Sequence, residues 1–553
     1  MGSRAPFLQT LTSPTRRGSL VRSGVAFGLG LLSVLGLPPL SLWPVFFLTL
    51  SGLVLLLDAV AEAHPGDGCR GRRLRAAAGL GWWFGFGYFL AGLYWLGFAF
   101  LVEADKFAWL LPIAVTALPA GLALFFGLAT CGAMLVWTPG LARVFALAGA
   151  LGATEWLRGN VLTGLPWNAL GYALAGNDLL LQAASVVGVT GLSVLAVVAF
   201  GLPAGNVRIH AARVGVHSSL LSAGSALLVF GALFAHGVWR LAEPAPLPQS
   251  QTRLRLVQPN IPQAEKWAGE NRQRIFDIFI DLTGRNAAGA AAGFDGITHV
   301  VWPESSLPFL MLQSPEALTA IGALLPDDVT LVTGSLRAAT APDGTLIRTN
   351  GLYTVFNDLA VIDGMGRVLS TYDKVHLVPF GEFLPLQATL EAIGLEQLTR
   401  LKGGFAAGTG PRRIAIPGLP PALPMICYEA VFPEEASAGP DQTWLLNVTN
   451  DAWFGVSAGP YQHLMQARMR AVEQGLPMIR VANTGISAVI GARGEILASL
   501  PLETRGVIET ALPGAMTHRP LYARLGDAIA ALMIALCALV VAASRRRSFR
   551  GSR

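Results

Sequence analysis

The sequence predicts a polytopic α-helical membrane protein with an inserted α/β domain. Three observations predict it. The 553 residues are 53% hydrophobic and only 13% charged, against about 25% charged in an ordinary soluble domain. The apolar runs crowd into residues 24–240 and 524–543, whereas 241–522 has a globular composition. Arginines cluster at alternate ends of the apolar runs.

A helix needs roughly 20 apolar residues to cross a bilayer. On that scale the runs divide at 24–38, 40–58, 77–101, 108–136, 143–157, 179–204, 218–238 and 524–543. The first and fifth are short, and Pro38-Pro39 makes a hairpin of the first two. Arg4, Arg16, Arg17 and Arg22 precede the first run; Arg70, Arg72, Arg73 and Arg75 follow the second. Arg143 follows the fourth, Arg208 and Arg213 the sixth, and Arg545, Arg546, Arg547, Arg550 and Arg553 the eighth. The opposite short loops hold only Lys106 and Arg158. Cytoplasmic loops collect arginine and lysine, so eight crossings with both termini in the cytoplasm are expected. The expected plan is a membrane domain at 1–240 with seven transmembrane helices, an extracytoplasmic domain at 241–522, and a last helix with a basic cytoplasmic tail at 523–553. Further spans follow the first run and no small-residue cleavage site stands out, so it is not read as a cleaved signal peptide.

Composition also excludes function classes. The +6 net charge is accounted for by arginines at span ends, so no nucleic-acid partner is expected. Transporters keep charges inside their spans; here Asp58 and Glu155 lie near span ends, where an interfacial or solvated carboxylate is the simple expectation. No Cys/His cluster has metal spacing and no glycine-rich phosphate loop occurs, so neither metal nor cofactor is expected.

Within 241–522, apolar and β-branched runs alternate with helical patterns. Strands are expected at 253–257, 298–302, 330–333, 424–428, 443–448 and 478–482, with helices at 264–283 and 460–474. Hairpins are expected around Asp363-Gly364 and Arg493-Gly494. Such a mixture predicts sheets covered by helices. No internal repeat is visible.

Three motifs place polar residues just after apolar strands, where sites are commonly built: Trp302-Pro-Glu-Ser305, Tyr372-Asp-Lys374 with His376–Glu382, and Cys427-Tyr-Glu429. Cys427 is the lone cysteine of the polar domain, since Cys69, Cys131 and Cys537 lie in or beside apolar blocks. Alone it reads as a small buried hydrophobe, Glu304 as a cap and Lys374 as a surface lysine. Together they supply a nucleophile, a base and a cation. A thiol is mostly protonated at neutral pH, a neighbouring carboxylate can take its proton, and a cation can stabilise the oxyanion formed on attack. A Cys/His pairing through His376, His299 or His463 ranks below Glu304. Strand alternation would put His376 on the face of Lys374.

These motifs, with Asn447-Val-Thr-Asn-Asp-Ala-Trp-Phe454, resemble the nitrilase (carbon–nitrogen hydrolase) superfamily. The flanking spans narrow the resemblance to its apolipoprotein N-acyltransferase branch, over almost the whole chain. The resemblance implies a four-layer αββα sandwich for the nitrilase-like domain. It also implies a Glu-Lys-Cys triad in which Glu304 is general base, Lys374 stabilises the oxyanion and Cys427 is the nucleophile. The implied reaction is ping-pong in the bacterial inner membrane. An acyl chain passes from a phospholipid, typically phosphatidylethanolamine, to Cys427 as a thioester. It then passes to the α-amino group of a diacylglyceryl-cysteine apolipoprotein. Trp267, Glu382, Tyr428 and Glu429 also match family positions: Glu382 would support the oxyanion site or orient Lys374, and Tyr428 and Glu429 would shape the nucleophile's surroundings. Trp267 stays open between a substrate-side and a core tryptophan.

Two apolar stretches, Leu307–Leu312 and the leucine-rich 383–408 ending in Gly403-Gly404, are either lipid-facing arms or ordinary core. Two other functions remain. A membrane-bound amidase would use the same triad with water as acceptor. A transporter or scaffold with an inactive domain is disfavoured by the intact triad and the nearly charge-free span interiors.

Overall fold

The computed structural model describes residues 6–207, 216–349, 351–392, 394–399, 401–437, 439, 441 and 443–551. Arg4, Arg208, Arg213 and Arg553 lie outside the described residues. The chain forms two compact units: Met1–Gly97, Trp109–Glu243 and Pro520–Arg553 in one, Phe98–Ala108 and Pro244–Arg519 in the other.

The first unit is helical. Among the described residues, eight of its helices reach 18 residues: Arg16–Ser33, Val45–Ala63, Arg70–Gly92, Leu111–Leu135, Ala142–Asn160, Ala184–Gly201, Val216–Leu241 and Ala528–Gly551. Six are long and apolar enough to cross a membrane, and Arg70–Gly92 makes a seventh with the bent continuation Tyr94–Leu101. The helix over the expected fifth run, Ala142–Asn160, carries Arg143, Glu155 and Arg158, and that charge keeps it out of the set.

Glycine sets the helix crossings. A Cβ on Gly30 would sit 2.0 Å from the Phe84 carbonyl oxygen, and one on Gly87 would sit 2.3 Å from that of Phe27. Helices Arg16–Ser33 and Arg70–Gly92 therefore approach through reciprocal glycines, as small residues permit in apolar surroundings. Asp58 and Glu155 are not solvated in the way the sequence suggests. Asp58 pairs with Arg143 at 2.8 Å and accepts from Trp137 Nε1, while Glu155 accepts the Leu170 N–H at 2.9 Å. Buried carboxylates need such partners.

The second unit is built from strands β1 (Gln249–Gln258), β2 (His299–Trp302), β3 (Thr330–Ala338), β4 (Arg348–Thr349), β5 (Leu352–Tyr353), β6 (Val355–Ile362), β7 (Val368–Asp373), β8 (Ala422–Ile426), β9 (Trp444–Thr449), β10 (Met478–Ala482), β11 (Ser487–Ile490), β12 (Ile496–Leu500) and β13 (Gly506–Leu512). One sheet has the order β13-β1-β2-β3-β6-β7 and the other β12-β11-β10-β9-β8; β4 and β5 form a small ribbon. β1, β2 and β3 are mutually parallel, as are β8, β9 and β10; β6-β7 and β11-β12 extend the two trios through antiparallel pairings, and β13 adds a further antiparallel strand beside β1. The two halves share this plan without sharing a sequence pattern.

Alternation along the strands makes four layers. Leu256, Val301, Val332 and Leu359 meet Leu446, Val448, Ile479 and Val481 between the sheets. Val300, Trp302 and Leu331 face outward onto Ile275, Phe279 and Ile321 of helices Arg272–Thr283 and Pro315–Leu324. Met425, Leu445 and Met478 face Ala467 and Ala471 of helix Gly459–Gln474. This is the αββα order implied by the resemblance, and the fold class is a polytopic membrane protein with an inserted α/β domain.

Some local expectations change. The helix expected at 264–283 is a turn, Gln263–Lys266, a 3-10 turn at Gly269–Asn271 and then Arg272–Thr283; the chain breaks beside Gly269, a poor helix former. Leu307 and Met311 belong to the outer core, so Leu307–Leu312 is not a lipid-facing arm. In 383–408 the outcome is mixed: Leu384 is buried, Leu398 and Leu401 are half-buried, and Leu386 is 78% exposed.

Behind the second sheet lies a fully buried ionic cluster. Asp451 Oδ2 accepts from Arg480 Nη2 at 2.7 Å, and its Oδ1 faces His463 Nδ1 and the Thr449 hydroxyl, each at 2.8 Å. Arg480 also reaches the Asn447 side chain, which donates to the Met425 carbonyl at 2.7 Å. Burial alone would raise the Asp451 pKa, but Arg480 and His463 outweigh it and hold it near about 2. A carboxyl held below its unfolded value contributes stability above that value and loses it as pH falls through the folded one. Asp451→Asn should cost roughly 3–5 kcal/mol at neutral pH, because Arg480 loses its buried counter-charge. The deficit should hold above pH 3.8 and shrink toward about pH 2. Denaturant unfolding of the full chain in detergent across that range checks it; an unchanged deficit at pH 2 would rule out the charge as its origin.

Candidate active site

Each of the three sequence motifs ends a strand of the α/β unit. Glu304 follows β2, Lys374 follows β7, and Cys427 follows β8 of the other sheet. β2 and β7 are not neighbours; β3 and β6 lie between them. A side chain from β6 closes that gap. Asn357 Nδ2 donates to Glu304 Oε1 at 2.8 Å and to Glu382 Oε1 at 2.9 Å. Lys374 Nζ lies 3.0 Å from the Glu382 carboxylate and 3.4 Å from Glu304 Oε1. The second Glu382 oxygen accepts the Val378 N–H at 2.8 Å. The Lys374 side chain is only 1% exposed. Burial would lower its pKa; the charges of Glu382 and Glu304 outweigh burial and raise it, so the ammonium stays charged.

The turn that carries Glu304 leaves no room beside it. A Cβ on Gly334 of β3 would lie 2.5 Å from Glu304 Cα. Gly334 in turn exchanges backbone bonds with Pro303 and Ser306. Ser305 has φ +45°, in the left-handed region, which a non-glycine residue adopts only under support.

Cys427 opens a short turn, Cys427–Val431, with φ +51°. It is 8% exposed. Burial, then the Glu304 charge, raises the thiol's pKa; Lys374 and a hydrogen bond with the Thr449 side chain pull it back. The resting group is a thiol whose proton needs a base, and the Glu304 and Lys374 charges both act on it. Glu429 fastens this turn to the Lys374 segment. Its carboxyl accepts the N–H groups of Ile426 at 2.5 Å, Val375 at 2.6 Å and His376 at 3.3 Å, with the Tyr372 hydroxyl at 3.4 Å. Burial pushes its pKa up to about 8, against the pull of the Ile426 and Val375 N–H groups.

The other expected residues fall into place less uniformly. Tyr428 packs edge-on against Phe432 at 4.9 Å and against His376 at 5.6 Å. His376 does not share a strand face with Lys374, because β7 ends at Asp373; its ring stacks on Phe432 at 3.7 Å. His299 opens β2, at the end of that strand opposite Glu304, and bonds the Pro417 carbonyl at 2.7 Å. Trp267 is 46% exposed and so is not a core residue. Beside it, the buried Lys266 Nζ donates to the Glu304 carbonyl at 3.4 Å. Burial lowers the Lys266 pKa to about 8, against the Glu304 charge.

Sequence reasoning missed Asn357, Lys266 and Arg480; it weighed His463 only as a base for Cys427, and it did not join Thr449 and Asp451 to that histidine. His463 Nε2 lies 3.0 Å from the Cys427 carbonyl, an acceptor, so this nitrogen carries a proton. Burial and then the Arg480 charge lower the His463 pKa, and Arg480 Nη2, 3.3 Å from Nδ1, is the donor that a neutral ring would accept from. The two ring nitrogens thus face two acceptors, the Asp451 carboxylate at 2.8 Å and the Cys427 carbonyl at 3.0 Å. The motif Asn447–Phe454 held the signal for Thr449 and Asp451, but nothing in it reveals which way they face.

Residues 29–202 match the family model of the apolipoprotein N-acyltransferase N-terminal domain, and residues 253–519 match that of carbon-nitrogen hydrolase. The apolipoprotein N-acyltransferase of Rhodopseudomonas palustris is 43% identical over 530 residues, covering 95% of both chains. That of Bradyrhizobium diazoefficiens is 46% identical over 528 residues, with 95% of both chains covered. A solved amidase from Nesterenkonia sp. covers 49% of this chain and 94% of its own at 19% identity, with a TM-score of 0.33. On the strength of the two full-length relatives, the chain belongs to the apolipoprotein N-acyltransferase family.

Proposed function

We propose that the protein moves an acyl chain from a phospholipid to the α-amino group of a diacylglyceryl-cysteine apolipoprotein, through a thioester on Cys427. The observation that carries this reading is the charge arrangement at the strand ends: a buried thiol under the influence of a carboxylate, Glu304, and of an ammonium, Lys374, held by two carboxylates.

In the first half-reaction Glu304 takes the thiol proton and the thiolate attacks the donor's ester carbonyl. Lys374 stabilises the oxyanion. Collapse breaks the ester C–O bond, and Glu304 returns the proton to the departing lysophospholipid oxygen. In the second, the neutral amine attacks the thioester, Glu304 accepts its proton, the C–S bond breaks to release the amide, and Glu304 passes the proton to the departing sulfur to regenerate the thiol. Glu382 and Asn357 keep Lys374 and Glu304 aligned throughout. Glu429 and Tyr428 support the turn that presents the sulfur, and Trp267 offers an exposed ring for substrate.

Phosphatidylethanolamine is the proposed donor. Phe380 and Leu386, exposed on the loop that bears Glu382, provide an apolar edge suited to a lipid chain. The arginine distribution supports an inner-membrane protein with both termini cytoplasmic and the catalytic domain outside, by the positive-inside rule.

Phospholipid labelled on an acyl chain should leave a hydroxylamine-sensitive adduct on Cys427, absent in Cys427→Ser. Addition of a diacylglyceryl peptide with a free amine should move the label to the peptide. An unlabelled wild-type protein sinks the acyltransferase reading; release only as free fatty acid favours the amidase-like hydrolase.

Glu304→Gln should slow adduct formation by about 10²–10⁴-fold, the usual contribution of a general base. Lys374→Met should slow it by about 10²–10³-fold, as for loss of an oxyanion donor. Single-turnover rates in detergent read both. A rate within threefold of wild type in either folded variant would remove that residue from its role.

A further inference from the structure

We propose that Lys266 is a positioning residue for Glu304, a strut that ties the backbone of the base to the sheet bearing Cys427. The proposal rests on Glu304 and Cys427 being base and nucleophile, as in the function above.

Lys266 closes the turn Gln263–Lys266 and is only 1% exposed, although Trp267 beside it is open. Its Nζ donates to the Glu304 main-chain carbonyl at 3.4 Å and lies 5.8 Å over the Trp267 ring. Among the described residues it forms no ion pair. An ammonium is costly to bury without a counter-charge, and Lys374 meets that cost with two carboxylates. Lys266 instead directs its charge at a carbonyl, and that carbonyl belongs to the base. Burial lowers its pKa to about 8 and the Glu304 charge opposes the fall, so the ammonium prevails at neutral pH.

Both ends of this bond are fixed. On the first sheet, β3 holds the residues that flank Glu304. The Gly334 N–H donates to the Pro303 carbonyl at 3.1 Å, and the Ser306 N–H donates to the Gly334 carbonyl at 2.9 Å. The Glu304 carbonyl, between them, takes Lys266. On the second sheet, Asn450 follows β9 and Asn483 follows β10. Asn450 Nδ2 donates to Gln263 Oε1 at 2.7 Å, and Asn483 Nδ2 donates to Asn450 Oδ1 at 3.0 Å and to the Ile261 carbonyl at 2.8 Å. The Ile261 N–H returns a bond to Asn483 Oδ1 at 3.0 Å. The Lys266 turn is thereby anchored on the sheet whose β8 delivers Cys427, while its side chain grips the turn after β2 that delivers Glu304. Proton transfer needs base and thiol within hydrogen-bond reach, and the two come from different sheets. Asn357 and Lys374 align Glu304 within its own sheet; Lys266 registers it against the other. The left-handed Ser305, which persists only under support, makes this turn sensitive to a lost bond.

The test is acylation of Cys427 by p-nitrophenyl acetate in the full chain in detergent. It is followed as the burst of p-nitrophenolate and located on the Cys427 peptide by mass spectrometry. This ester needs neither phospholipid nor acceptor, so failure of the acyl-transfer reading, seen as absent phospholipid label, is distinct from failure here. Lys266→Met removes the charge and the donor while keeping an unbranched side chain. It should slow the burst by about 10–100-fold, the scale of a small misplacement of a reacting group. The half-saturating ester concentration should stay within about twofold, since ground-state binding is untouched. In a Glu304→Gln background the same substitution should change the rate by less than about threefold, because its effect passes through the base. A merely structural role would slow both backgrounds equally. Lys266→Leu takes the place of the methionine variant should that one not fold. A folded variant with the wild-type burst rate, an equal slowing in both backgrounds, or a wild type without a burst at Cys427 overturns the proposal.

Discussion

The α/β unit is organised around one expensive group, the buried ammonium of Lys374. An isolated charge at that depth would be severely unfavourable. Two carboxylates make it tolerable, and each introduces a further requirement. Glu382 needs the Val378 N–H, and both carboxylates share Asn357 Nδ2. Asn357 lies on β6, which separates the Lys374 strand from β3 and β2. The ion pairs therefore fix the relation between strand ends that are not neighbours. Buried ion pairs often add little net stability compared with apolar packing. What they contribute here is position: the base and the cation cannot drift apart without stranding a charge.

Strain at the nucleophile follows the same logic. Cys427 adopts a left-handed backbone conformation that carries a cost of order 1–3 kcal/mol for a residue with a side chain. The structure holds it from two sides. Glu429 gathers N–H groups from both the Cys427 turn and the segment after Lys374, and His463 donates to the Cys427 carbonyl. Gly404 accommodates the same region from outside. Its φ is +72°, and a Cβ there would lie 2.8 Å from the Glu382 carbonyl oxygen. Close approach of backbones thus keeps glycine beside the carboxylate that steadies Lys374.

The three motif residues were legible because each follows an apolar run, and that pattern lies entirely within a few consecutive residues. The helix positions were legible for the same reason, since each apolar run produced its own helix. What escaped depends on contacts between distant segments. Asn357 stands beside Asp358 as one of two polar residues inside a buried strand, and nothing local shows that it spans two carboxylates. Arg480 is a charge inside a wholly buried strand, and nothing local shows that Asp451 pairs with it. Asp58 and Glu155 read as interfacial or solvated in the sequence because their partners, Arg143 and the Leu170 N–H, come from other segments. Strand alternation misplaced His376, because alternation stops where the strand stops, at Asp373.

The shared plan of the two sheets explains why two carboxylates flank the thiol. Glu304 lies two residues beyond β2, the middle strand of the first parallel trio, and Asp451 lies two residues beyond β9, the middle strand of the second. The same topological position therefore carries an acid in each half, and both charges act on Cys427. Their surroundings separate their chemistry. Asp451 is bound by Arg480 and His463 and held near about 2, too weak a base to take a thiol proton. Among the described residues, the Glu304 carboxylate bonds a shared amide and a shared ammonium, Lys374 lying closer to Glu382 than to it. A carboxylate must be loosely enough held to accept a proton and return it within one cycle. The duplicated plan thus supplies two candidate bases, and the arginine on β10 disqualifies one of them.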